Sequence, residues 1–183
     1  MNLGMADSEG LGSMRLKEIA ISPIGIVRTR YGDSEVGESF DGVPGRIEIF
    51  EEYSEGLEGI EGFSHIIVVA FLDRVKAAER KVLKVRPKWL AKYADDPEKV
   101  PEVGVFNTRS PHRPNPIALS VVRLVRRVGN VLEVEGLDLY DGTPVIDLKP
   151  HVPQELKGEI RFPPWFNEMR EKVRKEKGKD LTF

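Results

Sequence analysis

Apolar positions along this chain recur mostly at a spacing of two. In EIAISPIGIVRT (18–29), GRIEIFE (45–51), EVGVFNT (102–108), IALSVVRLVRRV (117–128), VLEVEGLDLY (131–140) and PVIDLKPH (144–151) they alternate with polar residues, the period of a half-buried strand. FSHIIVVAFLD (63–73) is a nearly continuous apolar run of the buried-strand type. Pro23 marks the first segment as an edge or bulged strand, and Gly129-Asn130 reads as a two-residue hairpin turn. Many short strands separated by turn signals predict a mainly β chain, a barrel or a sandwich. Helical spacing is scarcer: DRVKAAERKVL (73–83), WLAKYADDPEKV (89–100) and PWFNEMREKVRKEKGK (164–179) carry it. The last would set Trp165, Phe166, Met169 and Val173 on one amphipathic face.

Composition narrows the partners. With 183 residues the chain suits one domain and buries a core without staples. A net charge of −2 means that any nucleic-acid contact must be a local basic patch. The absence of cysteine excludes disulfides, thiolate zinc sites and cysteine nucleophiles together. A single glutamine, Gln154, among many Lys, Glu and Arg is a composition met in thermophiles. No stretch approaches the roughly 20 apolar residues of a membrane span, and the first residues lack a basic region followed by an apolar run. The expected location is cytoplasmic. Residues 1–17 read as a disordered leader or tag, small and polar with no periodicity over 1–13.

Several chemistries have no motif here. There is no G-x-G-x-x-G after a strand, no P-loop and no G-x-S-x-G elbow, so a doubly wound nucleotide fold is not expected. His65, His112 and His151 lie far apart in sequence, without metal-ligand spacing. What remains is NTRSPHRPNP (107–116), a stiff proline-rich loop in which Arg109 and Arg113 flank Pro111. Arginine offers a planar fork suited to carboxylates and phosphates. Downstream, Asp138, Asp141, Asp147 and Lys149 fall within twelve residues. Asp138 and Asp147 sit in strands, where aspartate is disfavoured, and Arg109 or Lys149 would serve as partner. Asp141-Gly142 is equally a turn dipeptide.

Three segments together, GVFNTRSPHRPNPIALS, GLEGIEGFSHI and LDLYDGTPVIDLKPHVP, resemble the TsaA-like family, also called the TrmO family. Its motif, R-x-P-x-R-P-N-P-[IV]-[GA], is complete from Arg109 to Ala118, and the likeness spans 18–155 in the right order. The resemblance implies a small TsaA-like β-barrel over 18–155, a few short helices and a C-terminal helical tail over 156–183. It also implies a homodimer with S-adenosylmethionine (SAM) bound near the subunit interface. The activity it implies is N6-methylation of N6-threonylcarbamoyladenosine (t6A) at tRNA position 37, without a Rossmann fold and without a metal. By position, Asp73, Arg74, Arg109, Leu119, Leu137, Asp138, Leu139 and Asp141 would line the cofactor site.

The acceptor N6 of t6A is a poor nucleophile, because its lone pair is shared with the purine and the ureido carbonyl. A base would help, and Asp141 or His65 are the candidates, with Asp147 and His112 behind them. The threonyl carboxylate calls for a cation, which Arg113 or Lys149 would supply. Three departures from the family stand out. Asp73 and Arg74 replace its usual polar pair, KWLAKYADDPEKVP (88–101) lengthens a connection as a lid or dimer contact, and the tail is short and basic. The alternative class is a non-catalytic β-barrel that binds RNA or a nucleotide, its basic loop reading phosphates; a histidine metal hydrolase ranks below it.

Overall fold

The computed structural model of the chain describes residues 19–87, 100–152 and 159–178. Among them run eight strands: β1 Gly25–Arg28, β2 Val43–Ile49, β3 His65–Phe71, β4 Lys84–Val85, β5 Val103–Gly104, β6 Ile117–Val128, β7 Val131–Leu137 and β8 Pro144–Pro150. Six close into a barrel in the order β1-β2-β7-β6-β3-β8, while β4 and β5 form a separate ribbon. Every barrel neighbour is antiparallel. Closure leaves no unpaired edge among these strands.

Alternation builds the core. Val27, Ile47, Ile66, Val68, Val122, Leu132, Val134 and Val145 point inward and are almost wholly buried. β6 covers the twelve residues whose alternation predicts it, and Gly129 turns the chain into β7 at φ 62. β3 corrects the sequence reading. Its apolar run is not buried on both faces: Ile66, Val68 and Ala70 are buried, while Ile67, Val69 and Phe71 alternate with them at intermediate exposure, because a barrel strand has one inside and one outside.

Other segments also differ from their pattern. The helix expected over 73–83 is only the 3-10 turn Glu79–Lys81, because short turns take its backbone donors. The Val75 N–H donates to the Leu72 carbonyl, and the Lys76 N–H to Glu79 at 2.8 Å. EVGVFNT is extended for two residues and then becomes the 3-10 turn Val105–Asn107. A short helix that periodicity does not show, α1 Asp33–Glu38, buries Val36 against the barrel core. The final helix, α2 Pro164–Lys177, buries Phe166, Met169 and Val173 as expected, begins with Pro at its first position and ends on Gly178 at φ 66. The expected leader (1–17) and nearly all of the 88–101 insertion lie outside the described residues.

The antiparallel order has a consequence for function. The C-terminal ends of β1, β3 and β7 and the starts of β2, β6 and β8 all meet at one pole of the barrel. The opposite pole carries His65, the 129–130 hairpin and Pro150, and the 3-10 turn Glu51–Leu57 reaches it through Leu57, whose carbonyl accepts from Arg127 Nη1 at 3.0 Å.

Candidate active site

The proline-rich loop sits at the first pole, leading into β6. Its stiffness has a second source besides proline. The Thr108 and Ser110 hydroxyls accept from the backbone N–H groups of Ser110 (3.2 Å) and His112 (3.3 Å). Arg113 turns back into the loop: Nε donates to the Ser110 carbonyl at 2.7 Å, and Nη2 donates to the Val105 carbonyl at 3.3 Å and to that of Thr108. The guanidinium that sequence offers to a substrate carboxylate therefore cross-links its own loop. His112, on the outer side, places Nε2 3.7 Å from Glu79 Oε1.

Arg109 points elsewhere. Loss of solvation draws its pKa below the ordinary guanidinium range; the carboxylate of Asp138 opposes that shift and the like charge of Arg113 adds to it. Asp138 in turn accepts a hydrogen bond from Ser120 Oγ. Ser120 is a buried hydroxyl at an inward position of β6, so Asp138 is tied to the barrel wall just past the end of β7. Leu137 and Leu139, which bracket it, are buried.

A second set of bonds closes the pole. Arg74, just past β3, donates to Asp33 Oδ2 and to the Asp141 carbonyl, both at 2.6 Å, with its guanidinium 5.5 Å from the Tyr140 ring centre. Asp141 Oδ1 accepts from the Thr29 N–H at 2.9 Å, which fixes the exit of β1. Asp73 is exposed beside them. Leu119 lies on the outward face of β6, 56 % exposed.

Thus Asp73, Arg74, Arg109, Arg113, Leu119, Leu137, Asp138, Leu139 and Asp141 gather at or beside one pole. His65 and Lys149 do not. His65 opens β3, so the length of that strand, about 20 Å at 3.3 Å per residue, separates it from Arg74. Its Nδ1 lies 3.0 Å from Ser64 Oγ, and its ring is 6.5 Å from that of His151. Lys149 pairs with Asp147 at 2.7 Å on the rim of a cavity of about 530 Å³, floored by Ile24, Leu57 and Leu148. That cavity holds none of the residues of the proline-rich loop. Among the described residues no three His, Asp or Glu side chains converge as a metal site.

Sequence reasoning missed Ser120, Asp33 and Tyr140. Ser120 had a signal, a hydroxyl at a core-facing phase of an otherwise apolar alternation. Asp33 and Tyr140 act through Arg74, and only the closed barrel shows that contact.

The chain matches the family model of the tRNA-methyltransferase O N-terminal domain over residues 32–155. It is 40% identical over 149 residues to a probable S-adenosyl-L-methionine-binding protein of Pyrococcus abyssi, an alignment covering 79% of this chain and 74% of the relative. A mouse tRNA (adenine(37)-N6)-methyltransferase is 36% identical over 107 residues, 58% of this chain but 23% of the mouse protein. The crystal structure of TrmO from Pseudomonas aeruginosa superposes with a TM-score of 0.57 at 28% identity, covering 82% of this chain and 63% of that one. The shared barrel, the intact Arg109–Ala118 motif and the extent of the match lead to one assignment: the chain belongs to the tRNA-methyltransferase O family.

Proposed function

We propose that this protein is a SAM-dependent tRNA methyltransferase that methylates N6 of t6A at position 37, and that it works in the cytoplasm as a homodimer. The observation that carries the reading is the convergence of Arg109, Asp138 and Asp141 at one pole, with Arg109 on a loop already cross-linked by Arg113. That donor set fits SAM. A guanidinium suits the methionine carboxylate, and a carboxylate held by Ser120 suits the ribose hydroxyls or the ammonium. SAM supplies the methyl group on a sulfonium, which leaves as a neutral thioether.

The chain's own work is then positioning. Arg109 is in place before the ligand arrives, which reduces the ordering lost on binding and favours in-line alignment. Asp141, held through Oδ1 by Thr29, keeps its other carboxylate oxygen to accept the proton of the acceptor N–H. The reading assigns no role to His65 or Lys149, and makes Arg113 a positioning residue.

The homodimer has physical support on β6. Ile117, Leu119 and Val121 expose 38%, 56% and 42% of their surface on one outward stripe, which ends at the Arg123–Glu135 ion pair. Across the ladder stand Phe71, Val69 and Ile67, so the apolar surface spans two strands. Contiguous apolar surface of this kind is characteristic of interfaces, and Leu119 would bring the cofactor site beside it.

Calorimetric titration with SAM and with S-adenosylhomocysteine (SAH) tests the reading. Saturable binding near one per chain, weakened in Arg109→Ala, and a methyl added to t6A-bearing tRNA by mass spectrometry are the expected results. A folded protein that binds neither ligand would refute it in favour of the RNA-binding module.

A further inference from the structure

The loop at the cofactor pole begins with an oddly placed aromatic. In the turn Val105–Asn107, Val105 is fully buried while Phe106 is 77 % exposed. A lone exposed phenylalanine is ordinary; its surroundings are not. Phe106, Asn107, Thr108 and Arg109 form one wall of a cleft of about 300 Å³ whose other wall is Phe162, Pro163, Trp165 and Phe166, at the start of α2. The far wall is an aromatic cluster. The ring of Phe166, itself buried, lies 5.3 Å from that of Phe162 and 5.5 Å edge-on from that of Trp165, and Arg170 stacks 4.6 Å from the centre of Phe162.

Aromatic walls with an amide and a guanidinium at the edge suit a flat ligand that has a π face, a hydrogen-bonding rim and negative charge nearby. A single-stranded nucleobase has these properties. Size agrees: 300 Å³ is at the small end of ligand sites, suited to one base. Charge agrees as well. α2 carries Arg170, Lys172, Arg174, Lys175 and Lys177 against Glu168, Glu171 and Glu176, a net +2 in a chain of net −2, so the remainder is −4. The helix beside the cleft is thus a local basic patch on an acidic protein, the arrangement that draws a phosphate backbone.

We infer that the cleft between Phe106–Arg109 and Phe162–Phe166 receives an unstacked base flanking the acceptor in the RNA substrate, with α2 contacting the phosphates beside it. This rests on the methyltransferase reading and extends it: Arg109 becomes the residue shared by the cofactor pole and the base slot, and the short tail supplies substrate recognition.

The test uses full-length protein, SAH, and a synthetic anticodon stem–loop carrying t6A. Phe106→Ala removes a ring that contributes little to the core, and Trp165→Ala removes the opposite wall. Each is expected to weaken stem–loop binding by roughly 5- to 140-fold, the effect of deleting one base-stacking ring, while SAH affinity stays at the wild-type value. In a Trp89→Phe background, where Trp165 is the sole tryptophan, its fluorescence should be quenched by the stem–loop and not by SAH. Unchanged stem–loop affinity in Phe106→Ala, or equal loss of SAH and stem–loop affinity in both variants, would overturn the inference; the second outcome would give the cleft to the cofactor. Stem–loop binding that depends on Phe106 in a protein that ignores SAH would support the base slot and sink the methyltransferase reading, so the two fail separately.

Discussion

Replacing Arg113 by alanine separates two roles that one arginine can play in such a loop. A substrate reader would leave SAM binding intact when removed; a loop cross-link would not. In the structure the side chain donates to the carbonyls of Ser110, Thr108 and Val105. The Val105 carbonyl keeps two other donors, the Thr108 N–H at 3.1 Å and its hydroxyl at 2.9 Å, so two bonds are lost without replacement. At about 1.5 kcal/mol each, the low end for charged donors in a half-exposed loop, the loss is about 3 kcal/mol of local order. The loop equilibrium then shifts by up to about 100-fold, and apparent affinity falls with the competent fraction. Pro111, Pro114 and Pro116 restrict the open loop and return part of that. The expected loss of SAH affinity in Arg113→Ala is therefore about 10- to 100-fold by calorimetry. The melting temperature should hardly move, because the change is local. Arg113→Lys keeps the charge but not the fork, and should fall between. Wild-type SAH affinity together with lost methylation of t6A would refute the cross-link and restore the substrate reader.

Other outcomes follow from the same geometry. Gly42→Ala should cost roughly 2–5 kcal/mol in denaturant unfolding, because φ is 72 and the new Cβ would stand 2.4 Å from the Gly136 backbone. Gly129→Ala, at φ 62 in open space, should cost only about 1–2 kcal/mol, and equal midpoints for the two would refute the clash. Leu119→Glu should convert dimer to monomer in sedimentation velocity, and an unchanged sedimentation coefficient would take the interface off β6. Asp141→Asn keeps an acceptor for Thr29 but loses the negative charge, so kcat should drop by about 10²- to 10⁴-fold with SAH binding retained; full activity would remove Asp141 as base.

Much of the fold is legible in the sequence because the barrel strands obey one local rule. β6, its hairpin into β7 and the buried face of α2 follow from alternation, a Gly-Asn turn and helical spacing. Where the rule is weak, reading fails for physical reasons. A six-residue helix such as α1 is too short to show a period and depends on docking Val36, not on propensity. Residues 73–83 have helical spacing, yet turn bonds made directly after β3 close them down before a helix can start. The site divides in the same way. The residue types were visible, but the pole on which each falls depends on strand direction, so the sequence could not separate His65 and Lys149 from the residues beside the proline-rich loop. Nor can sequence show that the Arg113 side chain would meet the carbonyls of its own loop.

Arg74 shows how this pole differs from what the resemblance implied. The family position that would touch the cofactor holds here a guanidinium with donors on Asp33 and on the Asp141 carbonyl, under cover of Tyr140. Two of its five N–H groups are committed to Asp33 and to the turn that places Asp141. Its charge ties α1 to the 140–142 turn, and the proposed reading gives recognition of the cofactor to Arg109 and Asp138. Of the three arginines the sequence offers, Arg74 and Arg113 are hydrogen-bonded to protein groups around the pole, and the proposed reading gives the ligand carboxylate to Arg109.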